Sequence, residues 1–424
     1  MSKPSAHSFP TLLPLRSPPE RFTVVQSYAK PIDVAVHCSA ISNLGSTWRQ
    51  NWEGLLAARR PFSVGYEVIP SWPKCPPVAA ILDFGHFEGQ PLFSRRFPEL
   101  MRCVGLDMKP AIDALLERHP DARISIILAS SAGDPGALSA MVDAAYRKEG
   151  PSEPVTPAIY EELLGGPWTA PLNAAMERDF PSIGVFGACA SSLVATSYAC
   201  DRINAGLADA VILVALDTLS RVASIGFTNI GANAPAGATP YDKDRAGTTV
   251  GEGAVGVLMT RAGLLADADV AARIVGTAVY CDAAHLVEPN PVGVASVVTS
   301  AIAQAGLAPG DVAGVYWHGT GTRQNDKTEA AVSTLVFGER SPPSTSTKGS
   351  LGHTMGASGG FNILSACSTF ETGLMPPVAG TLNPEFPNLD LVLGEPRRIE
   401  PGPILITALG FGGINAATVI VSAR

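Results

Sequence analysis

The chain has 424 residues, 46% of them hydrophobic and only 16% charged, and a formal net charge of −8. That length suits two domains or one large duplicated fold, and so much apolar content beside so little charge implies a large core and an oligomeric interface. The acidic balance, without a Lys/Arg-rich run, argues against nucleic-acid binding, and no apolar run reaches membrane-spanning length.

No charged and apolar leader with a cleavage site is visible at the start, so no signal peptide is expected. The seven cysteines are scattered and none forms a CxxC pair. This fits a reducing cytoplasm, with neither a disulfide framework nor a zinc site.

Residues 1–31 carry six prolines and little periodicity, and read as an irregular extension. Ile32–Val36 is the first strand candidate, and Trp48–Ala58 a helix with Trp52, Leu55 and Leu56 on one face. Residues 62–92, rich in proline and aromatics, read as surface excursions. Arg95–Arg118 reads as helical, with Pro110 expected to break or kink it after Leu106. A buried strand at Ile124–Leu128 leads to a turn at Ser130–Asp134 and a helix over about 137–147.

Next come a strand at 182–187, a helix at 190–205 closed by Gly206, and a strand at 210–216. The alternation argues for an α/β fold whose sheet is covered on both faces. Residues 226–240 read as a Gly/Ala/Asn/Pro loop, and 248–259 as a turn followed by a strand. A second round of alternation runs from about 271: strand 272–279, helix 296–305, strand 312–317, helices 326–337 and 354–371, strands 404–409 and 417–422. Two α/β rounds suggest two similar halves, 32–270 and 271–424, although no internal sequence repeat is evident.

Four stretches carry chemistry. In Val185-Phe-Gly-Ala-Cys189 a strand turns tightly into a helix and presents a thiol at a helix N-terminus, which favours thiolate. His318-Gly-Thr-Gly-Thr322 follows a buried strand. In Lys348-Gly-Ser-Leu-Gly-His353 a histidine opens a glycine-rich helix, and the glycines imply very close helix packing. Gly410-Phe-Gly-Gly-Ile-Asn415 is tight enough to aim a backbone N–H at a site. Singly, each has an ordinary reading: a buried structural cysteine, a hydrogen-bonded loop histidine, first-turn acids at Asp326 and Glu329, a simple turn. Together, a low-pKa thiol, two imidazoles and a backbone donor are what acyl transfer through a thioester requires.

In that order the four motifs resemble those of the β-ketoacyl-acyl-carrier-protein synthases, Cys-His-His condensing enzymes of the thiolase superfamily. Pro240-Tyr-Asp-Lys-Asp-Arg-Ala-Gly247, Gly251-Glu-Gly253 and Asp326-Lys-Thr-Glu329 match as well, so the resemblance covers residues 32–424. It implies a thiolase-like five-layered αβαβα duplicated fold, a homodimer or a heterodimer with a ketosynthase-like subunit, and an acyl-carrier-protein partner. It also implies decarboxylative Claisen condensation with no metal or organic cofactor.

By the same resemblance, Cys189 is the nucleophile, and His318 and His353 stabilise the enolate. Lys348 fixes charge and geometry beside them, with Glu329 and Asp326 ordering the network. The N–H groups of Cys189 and Phe411 form the oxyanion hole, and Phe411 is the gate. Thr320 and Thr322 hold the phosphopantetheine arm, and Arg95, Arg96, Arg102 and Lys109 match the carrier-docking segment.

His353 stands where the branch primed by acyl-coenzyme A has Asn. The 410–415 loop lacks the second cysteine of degradative thiolases. The sequence departs from the family at Gly187, Glu288, Thr407-Ala-Leu409 and Ile414, which suggests a specialised polyketide-type or polyene-type pathway. A non-elongating acyltransferase using the same cysteine and a non-catalytic partner subunit are the competing readings.

Overall fold

The computed structural model describes residues 30–65, 74–81, 96–134 and 168–423. The expected helix at 137–147, most of the N-terminal extension and Arg95 lie outside these residues. Five strands build the first half: β1 (Ile32–Ser42), β2 (Ile124–Ala129), β3 (Ser182–Val185), β4 (Ala210–Asp217) and β5 (Gly253–Arg261). The second half contributes β6 (Val270–Cys281), β7 (Gly314–Tyr316), β8 (Pro343–Thr345), β10 (Asp390–Leu391), β12 (Ile404–Gly410) and β13 (Ile414–Ser422). The short pair β9 (Leu374–Met375) and β11 (Arg397–Arg398) stands apart.

All other strands join one sheet in the order β10-β8-β7-β12-β13-β6-β1-β5-β4-β2-β3. Read outward from the antiparallel β1–β6 seam, both halves follow one pattern. β1–β5–β4 and β6–β13–β12 are antiparallel, then β4–β2–β3 and β12–β7–β8 are parallel. The duplication that the sequence only suggested is thus explicit in strand order and direction.

The helices are α1 (Trp48–Leu56), α2 (Arg96–Arg118), α3 (Ala170–Met176), α4 (Ser191–Asn204), α5 (Arg221–Asn229), α6 (Pro291–Gln304), α7 (Arg323–Phe337), α8 (Lys348–Leu351) and α9 (Ser358–Thr372). Helices α4 and α9 pack on each other and touch strands of both halves. α2 covers the outer face of β1, β4 and β5, and α6 covers that of β6 and β13, with α7 packed on α6. The result is five layers, αβαβα.

The central layer depends on missing side chains. A Cβ at Gly359 would lie 2.7 Å from Leu193 Cγ and from Ser192 Oγ, so only glycine lets α9 sit this close to α4. Phe361, two residues on, is fully buried in the core between them.

Both α2 and β3 differ from expectation. α2 runs unbroken through Pro110. Its apolar face (Leu100, Met101, Val104, Met108, Ile112, Leu115) is buried, whereas Pro110 and Leu106 face solvent. The Leu106 carbonyl that proline deprives of a partner can therefore be hydrated, and core burial outweighs the lost bond. β3 is not apolar-buried on both faces but largely exposed, because it is the sheet edge.

Candidate active site

Cys189 sits in a 3₁₀ turn, Ala188–Ala190, between β3 and α4. The strain of the turn falls on Ala188, at φ +49°, and not on Gly187. A non-glycine held there indicates a conformation imposed by its surroundings. Ser191 supplies part of that hold: its Oγ accepts the Gly187 N–H (2.9 Å), and its hydroxyl lies 2.9 Å from the Ser130 carbonyl. From the other side, Gly410 packs so closely that a Cβ there would lie 2.8 Å from Gly187 O.

The expected low thiol pKa is not what this environment produces. Burial pushes the Cys189 thiol up to about 12, and Asp217 adds to the rise. Lys348 and the residue's own backbone N–H pull the other way without prevailing. The helix terminus favours thiolate, but desolvation of the buried thiol is the larger effect. The thiol at rest is therefore protonated.

His318 follows β7 and His353 follows α8, and both are buried. Their rings meet edge to face, 5.2 Å between centroids at 83°. Burial, reinforced by the Lys348 charge, holds both imidazoles well below their ordinary pKa, so both are neutral near pH 7. Hydrogen bonds then select the tautomer. Lys348 Nζ, fully buried, donates to the His318 carbonyl (2.5 Å) and faces His318 Nδ1 at 3.3 Å. An ammonium only donates, so Nδ1 accepts and the ring proton is on Nε2. The Met355 N–H donates to His353 Nδ1 at 3.2 Å, which puts that proton on Nε2 as well. Met355 adopts φ +47° to make this contact. Two neutral N–H donors thus line one cavity with the thiol.

Glu329 anchors the His318 loop. It accepts the N–H groups of His318 (2.7 Å) and Gly319 (2.8 Å), the Asn325 amide (2.8 Å) and the Tyr241 hydroxyl (2.9 Å). Thr407, one of the sequence departures, also accepts from His318 N–H at 3.0 Å. Asp326 accepts the backbone N–H groups of Tyr241 (2.7 Å) and Gly321 (3.2 Å) and stands 3.4 Å from the Arg245 guanidinium. Burial raises both carboxyls, and these donors oppose the rise.

The cavity, about 250 Å³, is lined by Cys189, His318, His353, Thr320, Thr322 and Phe411, among others. Phe411, 36% exposed, stacks on Phe227 at 5.5 Å, and Phe227 meets the His353 ring edge-on at 5.9 Å. Phe227 was missed because 226–240 read as loop. α5 carries it, and Ser220, whose side chain caps the helix by accepting from Ala223 N–H, was the available signal. Leu409 and Arg323 also line the cavity and were not anticipated.

The docking segment needs correction. Arg96 is buried, and its guanidinium grips Glu252 and the Ile81 carbonyl, so it presents no charge to a partner. Arg102 and Lys109 reach the surface, but each is already paired: Arg102 with Glu99, and Lys109 with Asp113 (2.8 Å) and Glu177 (3.3 Å). Among the described residues no His/Cys/Asp/Glu cluster suited to a metal ion occurs, and no helix is long and apolar enough to cross a membrane.

A duplicated αβαβα fold with a buried thiol and two neutral imidazole donors in one cavity defines a thiolase-like acyl-transfer site. The comparisons agree. The family model for the β-ketoacyl synthase N-terminal domain matches residues 111–263, and that for the C-terminal domain matches 271–381. The chain belongs to the β-ketoacyl synthase family.

The 3-oxoacyl-[acyl-carrier-protein] synthase 2 of Mycobacterium tuberculosis is 34% identical over 244 residues, which is 54% of this chain and 58% of that protein. That match spans little more than half the relative's length. A putative polyketide β-ketoacyl synthase 1 of Streptomyces virginiae is 28% identical across 90% of this chain and 95% of its own. Among solved structures, the ishigamide ketosynthase/chain length factor covers 93% of this chain and 99% of its own, with a TM-score of 0.81 and 24% identity. A β-ketoacyl synthase from Burkholderia phymatum covers 93% of this chain and all of its own, with a TM-score of 0.80 and 23% identity. At that identity the two structures establish the fold alone.

Proposed function

We propose that the protein catalyses decarboxylative Claisen condensation between an acyl group on Cys189 and a malonyl-type thioester carried on an acyl carrier protein. The pair of neutral, Nε2-protonated histidines beside the thiol carries this reading. In the first step Cys189 sulfur attacks the carrier thioester, and its proton ends on the departing carrier thiol. The backbone N–H groups of Cys189 and Phe411 serve the tetrahedral oxygen, an interaction worth about 3 kcal/mol per donor in such sites.

In the second step the malonyl carboxylate leaves as carbon dioxide, and its electron pair forms an enolate. His318 and His353 both donate to the enolate oxygen. The enolate carbon attacks the acyl-Cys189 carbonyl, and the sulfur leaves as thiolate and takes a proton from solvent. Decarboxylation itself supplies the carbanion, so the step needs no metal or organic cofactor. Neutral imidazoles suit this role, because an imidazolium would hold the malonyl carboxylate and oppose its loss.

Thr320 and Thr322, whose hydroxyls lie 2.8 Å apart at the cavity wall, hold the pantetheine arm. For carrier docking, Arg102 and Lys109 are the surface cations of the expected segment. Relatives and neighbours include polyketide ketosynthases and ketosynthase/chain length factor pairs. The exposed edge strand β3, with Ile183 at its surface and Phe186 just after it, suits the dimer interface of such an assembly. The seven free cysteines suit a reducing cytoplasm.

The test is intact-mass analysis after incubation with acyl-loaded carriers, with Cys189→Ala as control, alongside carbon dioxide release from malonyl-carrier. An adduct that needs Cys189, together with release that needs both histidines, supports condensation. An adduct without any release favours a non-elongating acyltransferase, and neither signal favours a non-catalytic subunit.

A further inference from the structure

One buried carboxylate near the thiol has no part in the chemistry above. Asp217, the last residue of β4, is 1% exposed, and no cation pairs with it among the described residues. It is surrounded by donors. Oδ1 accepts the hydroxyls of Ser130 (2.8 Å) and Ser131 (2.9 Å). Oδ2 accepts the N–H groups of Ser131 (2.9 Å) and Gly356 (2.7 Å).

These partners belong to two different arms of the site. Ser130 leads to the nucleophile, because its carbonyl lies 2.9 Å from the Ser191 hydroxyl, which receives the Gly187 N–H and also reaches the Ala188 carbonyl at 2.6 Å. Gly356 leads to the second histidine, because it follows Met355, whose N–H holds His353 Nδ1. The approach leaves no slack: a Cβ at Gly356 would lie 2.8 Å from both Asp217 Oδ2 and Ser131 N.

We propose that Asp217 is a positioning residue that pins the Gly356 turn to the nucleophile arm and so keeps the His353 ring in its Nε2–H form. Electrostatics alone gives no reason for an acid here, since its charge raises the Cys189 thiol and opposes Lys348. Its geometry does give one. The two hydroxyls could turn to accept, but each oxygen also faces a backbone N–H that can only donate, Ser131 at 3.1 Å from Oδ1 and Gly356 at 2.7 Å from Oδ2, so an acceptor at both oxygens satisfies them. An amide at this position would turn an N–H₂ toward one of those donors. The effect on condensation rests on the function proposed above, whereas the ring form and the thiol reactivity do not.

The test uses the full chain, wild type and Asp217→Asn, with Asp217→Ser as a shorter, uncharged second variant. Nitrogen-15 spectra of the histidine rings, with His353→Gln for assignment, report the tautomer. Wild type is expected to show His353 protonated at Nε2, and the variants a mixture. Iodoacetamide alkylation of Cys189 at pH 8 is expected to speed up once the negative charge is gone. Decarboxylation of malonyl-carrier is expected to fall about tenfold or more, as for loss of a buried charge-assisted hydrogen bond, while acylation of Cys189 is retained.

An Nδ1–H His353 in wild type overturns the proposal. So do variants with an unchanged ring form, or variants in which acylation and decarboxylation fall together while alkylation does not quicken; Asp217 would then only support the fold. If wild type releases no carbon dioxide, the condensation reading fails, and the ring spectra and alkylation rates still judge Asp217.

Discussion

Lys348 is the group on which the electrostatics of the site turn, and Lys348→Met tests that role. Its buried ammonium donates to the His318 carbonyl and faces Nδ1, which makes His318 an Nε2 donor. Methionine keeps an unbranched side chain, one atom shorter, and removes the charge and all three donors. A buried hydrogen bond from a charged group contributes about 1.5–3 kcal/mol, so decarboxylation of malonyl-carrier should fall about 10- to 150-fold. A second effect has a fixed sign. Among the described residues Lys348 is the charged side chain that lowers the Cys189 thiol pKa, so iodoacetamide should alkylate the variant more slowly. That is opposite to the change expected for Asp217→Asn. A third readout is the pH profile. Burial lowers the Lys348 pKa from its ordinary value, so wild-type decarboxylation should decline on the alkaline side as the ammonium loses its proton, and the variant should lack that limb. Carbon dioxide release across pH 6–9, with thermal unfolding to confirm the fold, checks all of this. A variant that decarboxylates at the wild-type rate, or keeps the alkaline limb, refutes the reasoning.

Three further outcomes follow from the packing and the buried charges. Phe361→Ala should cost about 3–5 kcal/mol, read as a lower urea midpoint, because the ring is fully buried and a Cβ on Gly253 would already lie 2.8 Å from it. Glu252→Gln leaves the Arg96 guanidinium buried without its counter-charge and should cost about 3–5 kcal/mol in the same assay. Burial raises the Asp217 carboxyl from 3.8 to about 6. The folded pKa therefore exceeds the unfolded one, and this group's contribution is fully present below 3.8 and lost as pH rises through 6. The stability of wild type relative to Asp217→Asn should accordingly decline from pH 4 to pH 7, as urea midpoints across that range would report.

The long apolar strands and the amphipathic helices were legible because burial imposes a period on them, and β4, β12 and β13 lie close to where the pattern put them. The four motifs were legible because glycine, cysteine and histidine cluster where the chain must turn tightly beside a reactive group. What the sequence hid is what depends on partners distant in the chain. Arg96 read as a surface cation until Glu252, 156 residues away, was seen to bury it. Cys189 read as an activated thiol, because the helix terminus is local and the desolvation is not. α5 was lost because Gly226 and the small residues after it resemble a loop, and Phe227 was lost with it.

The strand order also explains why the reactive groups are so far apart in sequence. Cys189 lies in the β3–α4 crossover, and Lys348 and His353 lie in its structural equivalent, between β8 and α9. These two turns meet because α4 and α9 share the central layer, which the absent side chain at Gly359 allows. The equivalence extends to the supports. β2 and β7 occupy corresponding places, and a buried carboxylate collects backbone N–H groups just beyond each strand. Asp217 takes that of Ser131, and Glu329 takes those of His318 and Gly319. Each half thus carries its own acid clamp. In the first half the clamp steadies the surroundings of Cys189 and reaches across to Gly356; in the second it holds the His318 backbone directly. Neither half contains both the thiol and an imidazole donor, so the chemistry exists only where the two halves meet.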